Sequence, residues 1–187
     1  MLGHLDVPTG IWFDQSNVIY PSQMKYLWSP WRMIYIEKHK AEAGCVFCDA
    51  LKMADTAQNL IVQRGKHAFV ILNRFPYTSG HIMIVPYQHT SYLEELLPEA
   101  RAEIMELAAE GMHILRQVYN PEGFNLGINI GEAAGAGITE HVHLHVVPRW
   151  IGDTNFMSTL GSTRVLPERL EDTYQRVREA WSLSSQP

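Results

Sequence analysis

The 187-residue sequence lacks three features that would assign it to a familiar class of protein. It has only two cysteines, Cys45 and Cys48, which are too few for the disulfide framework of a small secreted domain. It contains no run of about 20 apolar residues that could form a membrane span, and its N-terminus lacks the basic and apolar regions of a signal peptide. Its net charge of −5 argues against DNA or an anionic membrane as the partner. We therefore expect a soluble, cytoplasmic globular protein.

The length of the chain favours one compact domain. Residues 1–23 show no sustained hydrophobic periodicity and contain Pro8, Gly10 and Pro21. We predict that residues 1–23 form a loose N-terminal arm and that residues 24–187 form the domain.

The hydrophobic pattern predicts five strands and two helical regions. The strands are expected at Asn59–Arg64, Ala68–Leu72, His81–Pro86, Phe124–Ile130 and Val142–Pro148. Helical spacing extends from Ser91 to about Tyr119, with a capping box at Ser91 and Glu94 and a break at Pro98. A C-terminal helix is predicted over Pro167–Trp181, with proline in its first turn. Because several strands follow one another instead of alternating with helices, we predict an α+β fold in which a long helix crosses one face of an antiparallel sheet.

Three histidines at alternate positions dominate the last predicted strand. Because side chains alternate between the faces of a strand, His141, His143 and His145 share one face at intervals of about 7 Å. The intervening residues are expected in the core: Val142, Leu144 and Val146. Two chemistries fit such a row, namely metal ligation by neutral imidazoles and nucleophilic attack on phosphorus.

The loop before these histidines favours the nucleophilic interpretation. Residues 131–137 are glycine and alanine apart from Glu132, so backbone N–H groups can approach an anion closely. A catalytic metal centre is less consistent with the sequence, because no aspartate accompanies the histidines. A third possibility is a nucleotide-binding module without catalytic activity.

The segment from His141 to Val147 resembles the histidine-triad signature H-φ-H-φ-H-φ-φ of the HIT superfamily of nucleotide hydrolases and transferases. The resemblance covers four segments, the last of which contains this signature: Gly44–Cys48, Asn73–Pro76, Gly80–Pro86 and Asn125–Trp150. The resemblance implies a HIT-like five-stranded antiparallel sheet with a long helix across one face and a C-terminal helix. It also implies a homodimer or higher homo-oligomer that binds a nucleotide or a dinucleoside polyphosphate.

The resemblance also implies roles for individual residues. His143 would be the nucleophile that forms a nucleotidyl-histidine intermediate, His145 would hydrogen-bond the phosphate or bridging oxygen, and His141 would complete the catalytic triad. The residues implied in nucleotide binding are Asn73, Asn129, Gly135, Gly137, Ile138 and Trp150. This chemistry requires no cofactor, although Mg²⁺ could accompany the substrate.

Within the superfamily, two regions resemble the bacterial diadenosine tetraphosphate (Ap4A) phosphorylases. They are Leu27–Arg32 and the region that comprises Pro148–Met157 and Thr163–Glu168. Phosphorylase activity would let inorganic phosphate attack the intermediate and convert Ap4A to ADP and ATP. The alternative is a Hint-like or Fhit-like hydrolase, acting on adenosine phosphoramidate or dinucleoside polyphosphates. The segment Ile138–Glu140 departs from the hydrolase branches.

The two cysteines have three interpretations. By resemblance to HIT relatives, Cys45 and Cys48 could complete a structural zinc site with His89 and His141. They could also be ordinary thiols, or a redox pair, although a thioredoxin-type βαβ frame is missing. The remaining histidines are predicted to be surface or sheet-edge residues: His39, His67, His81 and His113.

Overall fold

The computed structural model describes residues 44–153 and 167–184. The predicted N-terminal arm lies outside the described residues, as do Leu27–Arg32 and residues 154–166. The strands are β1 (Ile61–Arg64), β2 (Ala68–Leu72), β3 (Ile82–Pro86), β4 (Gly123–Ile128) and β5 (Leu144–Arg149). The helices are α1 (Val46–Leu51), α2 (Pro98–Tyr119) and α3 (Leu170–Ser184), with 3-10 turns at Leu93–Glu95 and Glu132–Ala134.

The five strands form one antiparallel sheet in the order β1-β2-β3-β5-β4. The central strands are apolar along their whole length, and every residue of β2 and β3 is buried. Strand β5 lies between β3 and β4, so that His145 pairs with Met83 on one side and Gly127 on the other. The α+β class and the five-stranded antiparallel sheet predicted from the sequence are confirmed.

Helix α2 crosses the sheet because one of its faces is apolar. Its buried residues include Ile104, Leu107, Ala108 and Leu115, and they join the side chains of β2, β3 and β5 in one core. Helix α3 packs beside α2, where the Trp181 ring is buried and its indole N–H donates to a Glu110 carboxylate oxygen at 2.8 Å. The sheet and its two long helices thereby fix the positions of the loops between the strands.

Three local predictions were wrong. Strand β5 begins at Leu144, so His141 and His143 precede it rather than lie within it. Helix α3 begins at Leu170, which leaves Pro167 outside its first turn. Ser91 caps no helix, because a 3-10 turn begins at Leu93 and the Thr90 hydroxyl accepts the Tyr92 N–H.

The cysteine segment forms a helix for which the sequence analysis made no prediction. Cys45 is the N-cap of α1, and Cys48 lies within this short helix. Its six residues carry too little periodicity to stand out. Among the described residues, no helix combines the length and apolar character needed to cross a membrane.

Candidate active site

The site is built around the backbone of the histidine segment. The ring Nδ1–H of His143 donates to the carbonyl oxygen of His141 at 2.8 Å. Because the proton lies on Nδ1, the lone pair of the neutral ring lies on Nε2. His143 is only 4% exposed, and this burial lowers its pKa, although the bond to the His141 carbonyl acts in the opposite direction. The structure therefore favours a neutral imidazole with a nucleophilic Nε2.

The next histidine, His145, is oriented by a residue that the sequence analysis placed elsewhere. Nε2 of His81 lies 3.0 Å from Nδ1 of His145, and Nδ1 of His81 accepts the backbone N–H of Tyr77 at 3.2 Å. Because Nδ1 of His81 is an acceptor, its proton lies on Nε2 and is donated to His145. The neutral His145 ring consequently carries its own proton on Nε2. A backbone amide thus sets the tautomers of two rings.

The prediction that His81 is a surface or sheet-edge residue was wrong. Its side chain is 1% exposed, and its ring lies 5.2 Å from that of His145 between their centroids. The Tyr77 ring covers both imidazoles, at 4.8 Å from His81 and 6.2 Å from His145. Position 81 directly precedes a fully buried strand, and this position in the sequence could have indicated that the His81 side chain is buried. His113 is exposed as predicted, and His39 lies outside the described residues.

The first histidine of the triad points to a separate cluster of metal-ligating groups. Sγ of Cys45, Sγ of Cys48 and one ring nitrogen each of His89 and His141 lie within 4.8 Å of one another. Nδ1 of His141 lies 3.3 Å from Sγ of Cys45 and 3.8 Å from Sγ of Cys48, and Nδ1 of His89 lies 3.4 Å from Sγ of Cys48. The structure therefore brings together the four residues predicted as zinc ligands.

The cluster fits the geometry of a tetrahedral zinc ion. With Zn–S and Zn–N bonds of about 2.3 and 2.05 Å, a sulfur and a nitrogen on one ion are about 3.6 Å apart. The three S···N distances surround this value. Nε2–H of His141 donates to the carbonyl of Pro86 at 2.9 Å, which leaves Nδ1 unprotonated toward the thiols. Burial also lowers the pKa of His141 and so favours the neutral, ligating form.

A cavity of about 340 Å³ opens beside His145. Its walls come from α1, from β2 and β3, from the loop between them, and from the segment before the histidines. Five of the predicted site residues line it: Asn73, Asn129, Gly137, Ile138 and His145. The rest of its surface is mainly apolar and includes Phe47, Leu60 and Met83. The combination of an apolar interior with a few polar groups is typical of a small-molecule site.

Two predicted nucleotide-binding residues do not line this cavity. Gly135 is an exposed C-cap of the 3-10 turn, with φ of +81°. Trp150 follows β5, and its backbone N–H donates to the carboxylate of Asp153 at 3.2 Å. The neighbouring Arg149 also pairs with Asp153, at 2.6 Å, and donates to Asn125. These groups brace the end of the sheet.

Two asparagines with different roles border the cavity. Asn73 Oδ1 accepts the N–H of Phe75 at 2.9 Å, which leaves its amide nitrogen available to a ligand. The Asn59 amide is fully engaged, since Oδ1 accepts the N–H groups of Thr56 and Ile61 and Nδ2 donates to the carbonyl of Ala50 at 3.2 Å. Asn59 was not predicted as a site residue; it fastens α1 to the start of β1.

The family comparison matches the HIT domain over residues 55–150. A protein named AP-4-A phosphorylase from Mycobacterium tuberculosis is 37% identical, and the alignment covers 86% of both chains.

Solved structures show the same fold. A zinc-bound histidine triad family protein from Mycobacterium smegmatis aligns with a TM-score of 0.60 and 30% identity, covering 75% of this chain and 95% of that one. A histidine triad nucleotide-binding protein from Sulfolobus tokodaii has a TM-score of 0.60 and 23% identity, covering 74% of this chain and 93% of the other.

Proposed function

The chain belongs to the HIT domain family, and we propose that it catalyses nucleotidyl transfer through a nucleotidyl-histidine intermediate, with the phosphorolysis of Ap4A as its reaction. The observation that carries this proposal is the pair of adjacent imidazoles with opposite tautomers. The hydrogen bonds leave Nε2 of His143 as a lone pair and Nε2 of His145 as a donor. Their ring centroids are 4.8 Å apart. A nucleophile and a hydrogen-bond donor therefore lie side by side.

In the first step, Nε2 of His143 attacks the α-phosphorus of Ap4A. The N–P bond forms as the bond from phosphorus to the bridging oxygen breaks, and ATP leaves. His145 donates an Nε2–H hydrogen bond to that oxygen, which stabilises the negative charge that develops on the leaving group. The His141 carbonyl stabilises the positive charge that the attacking ring acquires, because it accepts the Nδ1–H.

In the second step, an oxygen of inorganic phosphate attacks the phosphorus of the adenylyl-His143 intermediate. The N–P bond breaks, His143 regains its lone pair, and ADP is released. The incoming phosphate loses its proton to solvent and His145 keeps its Nε2 proton throughout, so that both imidazoles end in their initial tautomers. The relative named as a phosphorylase supports phosphate, rather than water, as this second acceptor.

The cavity would hold the nucleoside of the substrate. Asn73 would donate its amide N–H to the ribose, and Asn129 together with the backbone of Gly137 and Ile138 would contact the phosphates. Roles for Gly135 and Trp150 in nucleotide binding stay predictions. Arg74 alone is cationic among the described residues that line the cavity. The negative charge of the polyphosphate would therefore be stabilised largely by backbone N–H groups, by His145 and by Mg²⁺ bound with the substrate.

The zinc proposal follows from the donor set. Cys45, Cys48, His89 and His141 would hold one zinc ion and fill all four positions of a tetrahedral site. A filled coordination shell supplies structural stabilisation, and the chemistry on phosphorus stays with His143 and His145. The zinc-bound relative from M. smegmatis supports the presence of the metal.

A second copy of the chain is the proposed protein partner. Strand β4 forms one edge of the sheet, and within residues 44–153 and 167–184 no strand pairs with its outer side. This edge exposes the apolar side chain of Leu126, which is 40% exposed, as expected where two sheets join across a twofold axis. Sedimentation of Leu126→Lys beside the unchanged protein would report the dimer, and an unaltered dimer in the variant would exclude this edge.

The reaction is tested by incubating the protein with Ap4A in the presence and absence of inorganic phosphate and identifying the nucleotides produced. ADP and ATP in equal amounts, formed only when phosphate is present, support the phosphorylase. AMP and ATP formed in water alone would identify a hydrolase instead. Denaturation during turnover should trap one AMP moiety on His143, and a protein that turns over without this adduct would contradict the covalent mechanism.

A further inference from the structure

Helix α1 belongs to two sites at once. Cys45 and Cys48 place it in the metal-ligand cluster, whereas Val46, Phe47 and Ala50 of the same turn line the cavity. The ligands and the cavity wall are therefore neighbours in sequence, and the wall cannot move far without moving the ligands. No such connection was anticipated from the spacing of the cysteines.

Phe47 is the side chain of α1 that lies between the two sites. It is 2% exposed, and its ring centroid lies 5.4 Å from that of His141 and 5.0 Å from that of His143. The same His141 offers Nδ1 to the cluster and its backbone carbonyl to His143. One aromatic ring thus touches a metal ligand and the nucleophile while forming part of the nucleotide cavity.

We propose that Phe47 is a positioning residue that couples metal binding at the cysteine–histidine cluster to nucleotide binding in the cavity. This inference rests on the proposed nucleotide and zinc sites. Occupation of the cluster would hold Phe47 in place against His143, and a nucleotide in the cavity would hold the same ring from the other side. The two ligands would therefore bind cooperatively.

The weak intrinsic stability of α1 explains why the coupling should be large enough to measure. A helix of six residues is unstable by itself in water, and the N-cap Cys45 makes no side-chain hydrogen bond to the helix. Contacts from outside must hold it, and these are the cluster, Phe47 and the Asn59 bond to Ala50. A zinc ion that orders α1 removes a conformational entropy cost that the nucleotide would otherwise meet.

Thermodynamic linkage gives the first test. We would measure the affinity for AMP by titration calorimetry in zinc-loaded protein and in protein stripped with a chelator, and verify the fold of both by circular dichroism. We expect removal of zinc to weaken AMP binding about fivefold or more. Saturating AMP must then raise the zinc affinity by the same factor, measured by competition with a chromophoric chelator. Equal effects in the two directions would establish coupling between the two ligands, whichever residues carry it.

Three variants test whether the Phe47 ring carries the coupling and whether loss of folding could explain the result. Phe47→Leu keeps all four ligands, so zinc should still bind at one ion per chain while its effect on AMP affinity shrinks. The matched control Phe124→Leu makes the same change in β4, and it should retain the full coupling. His89→Ala removes the most exposed ligand and leaves the core untouched, and it should weaken AMP binding as zinc removal does.

The outcomes distinguish a failure of the proposed coupling from a failure of the proposed nucleotide site. Equal AMP affinity in folded zinc-loaded protein, folded stripped protein and His89→Ala would overturn the coupling and leave the proposed reaction intact. Full coupling in Phe47→Leu would remove Phe47 from it. A protein that binds AMP in none of these states would instead overturn the proposed nucleotide site.

Discussion

The nucleophile candidate His143 donates its Nδ1–H to the backbone carbonyl of His141, two residues earlier, at 2.8 Å. A backbone acceptor cannot rotate away or titrate, so it fixes the tautomer more firmly than a side chain would. Because this bond engages Nδ1, Nε2 is the ring nitrogen that remains for attack on phosphorus.

Replacement of His143 by alanine should abolish turnover of Ap4A. The nucleotide affinity should stay within about tenfold, because the substitution removes the nucleophile and leaves the cavity in place. Turnover in the presence of phosphate and AMP binding by calorimetry measure the two effects separately. His113→Ala, in an exposed position on α2, is the matched control and should behave like the unchanged protein. Appreciable activity of His143→Ala would assign the attack to another group.

Substitution of His81 should weaken the hydrogen bond that His145 donates to the leaving group. In His81→Leu, the Nδ1 of His145 loses its donor at 3.0 Å, so the Nε2–H tautomer of His145 is no longer enforced. We expect turnover of Ap4A to fall about 100-fold. His81→Gln, whose amide can still donate to His145, should recover part of the rate.

The leaving group distinguishes this effect from general damage to the site. An adenosine 5′-phosphofluoridate releases fluoride, a weaker base than the terminal phosphate of ATP, so its reaction should depend much less on His81. Initial rates with both substrates give the comparison for His81→Leu. If both rates fell by the same factor, His81 would have only a structural role.

The glycine before His81 should resist replacement. Gly80 has φ of +76°, and an added Cβ would lie 2.9 Å from Leu115 Cδ2 and 3.0 Å from Tyr119 Cε2. Gly80→Ala should lower the free energy of unfolding by about 1–3 kcal/mol through backbone strain and overpacking. Gly123→Ala is the control, because no heavy atom lies within 4 Å of its added Cβ. Urea denaturation of both variants provides the test, and equal stabilities would contradict it.

An ion pair beside α1 should make stability depend on pH. Arg64 donates to both carboxylate oxygens of Asp55, at 2.7 and 2.8 Å, and this lowers the Asp55 pKa below its ordinary value of 3.8. Because the pKa is lower in the folded state than in the unfolded state, the pair stabilises the fold above the unfolded pKa. The stabilisation is lost as the pH falls through the folded pKa.

Asp55→Asn should therefore lower the free energy of unfolding at pH 7 by about 1–2 kcal/mol. The difference from the unchanged protein should shrink steadily below about pH 4. Urea denaturation over a series of pH values measures it. Glu106→Gln, which alters an exposed carboxylate of α2, should show no such trend. A difference independent of pH would exclude the ion pair as its cause.

The sheet was predictable because its strands are short, apolar and separated by clear turns. Strand β2 has the predicted bounds, Ala68–Leu72, since a fully buried strand flanked by a glycine turn and a polar loop leaves little ambiguity. The start of β5 was misplaced by two residues. The alternation of histidine and apolar residues extends back to His141, but the backbone before Leu144 does not pair with a neighbouring strand. The Val142 N–H, for example, donates to the carbonyl of Thr90.

The site was predictable only where a motif marks it. The triad and the cysteines carry recognisable spacing, whereas His81 and Phe47 contribute through contacts with partners more than 60 positions away in sequence. Such contacts depend on strand order, with β3 placed beside β5. A single histidine before an apolar strand and a phenylalanine between two cysteines are both common, so neither carries the information by itself.

The fully committed amide of Asn59 has a consequence for selectivity among nucleobases. It is buried at the cavity wall, but reading the edge of a base would require it to abandon bonds that hold α1 to β1. We therefore expect any discrimination between adenine and guanine to depend on other polar side chains that line the cavity, such as the exposed Gln58 and Arg74. Substitutions at these two positions would alter base preference without breaking the bonds that join α1 to β1.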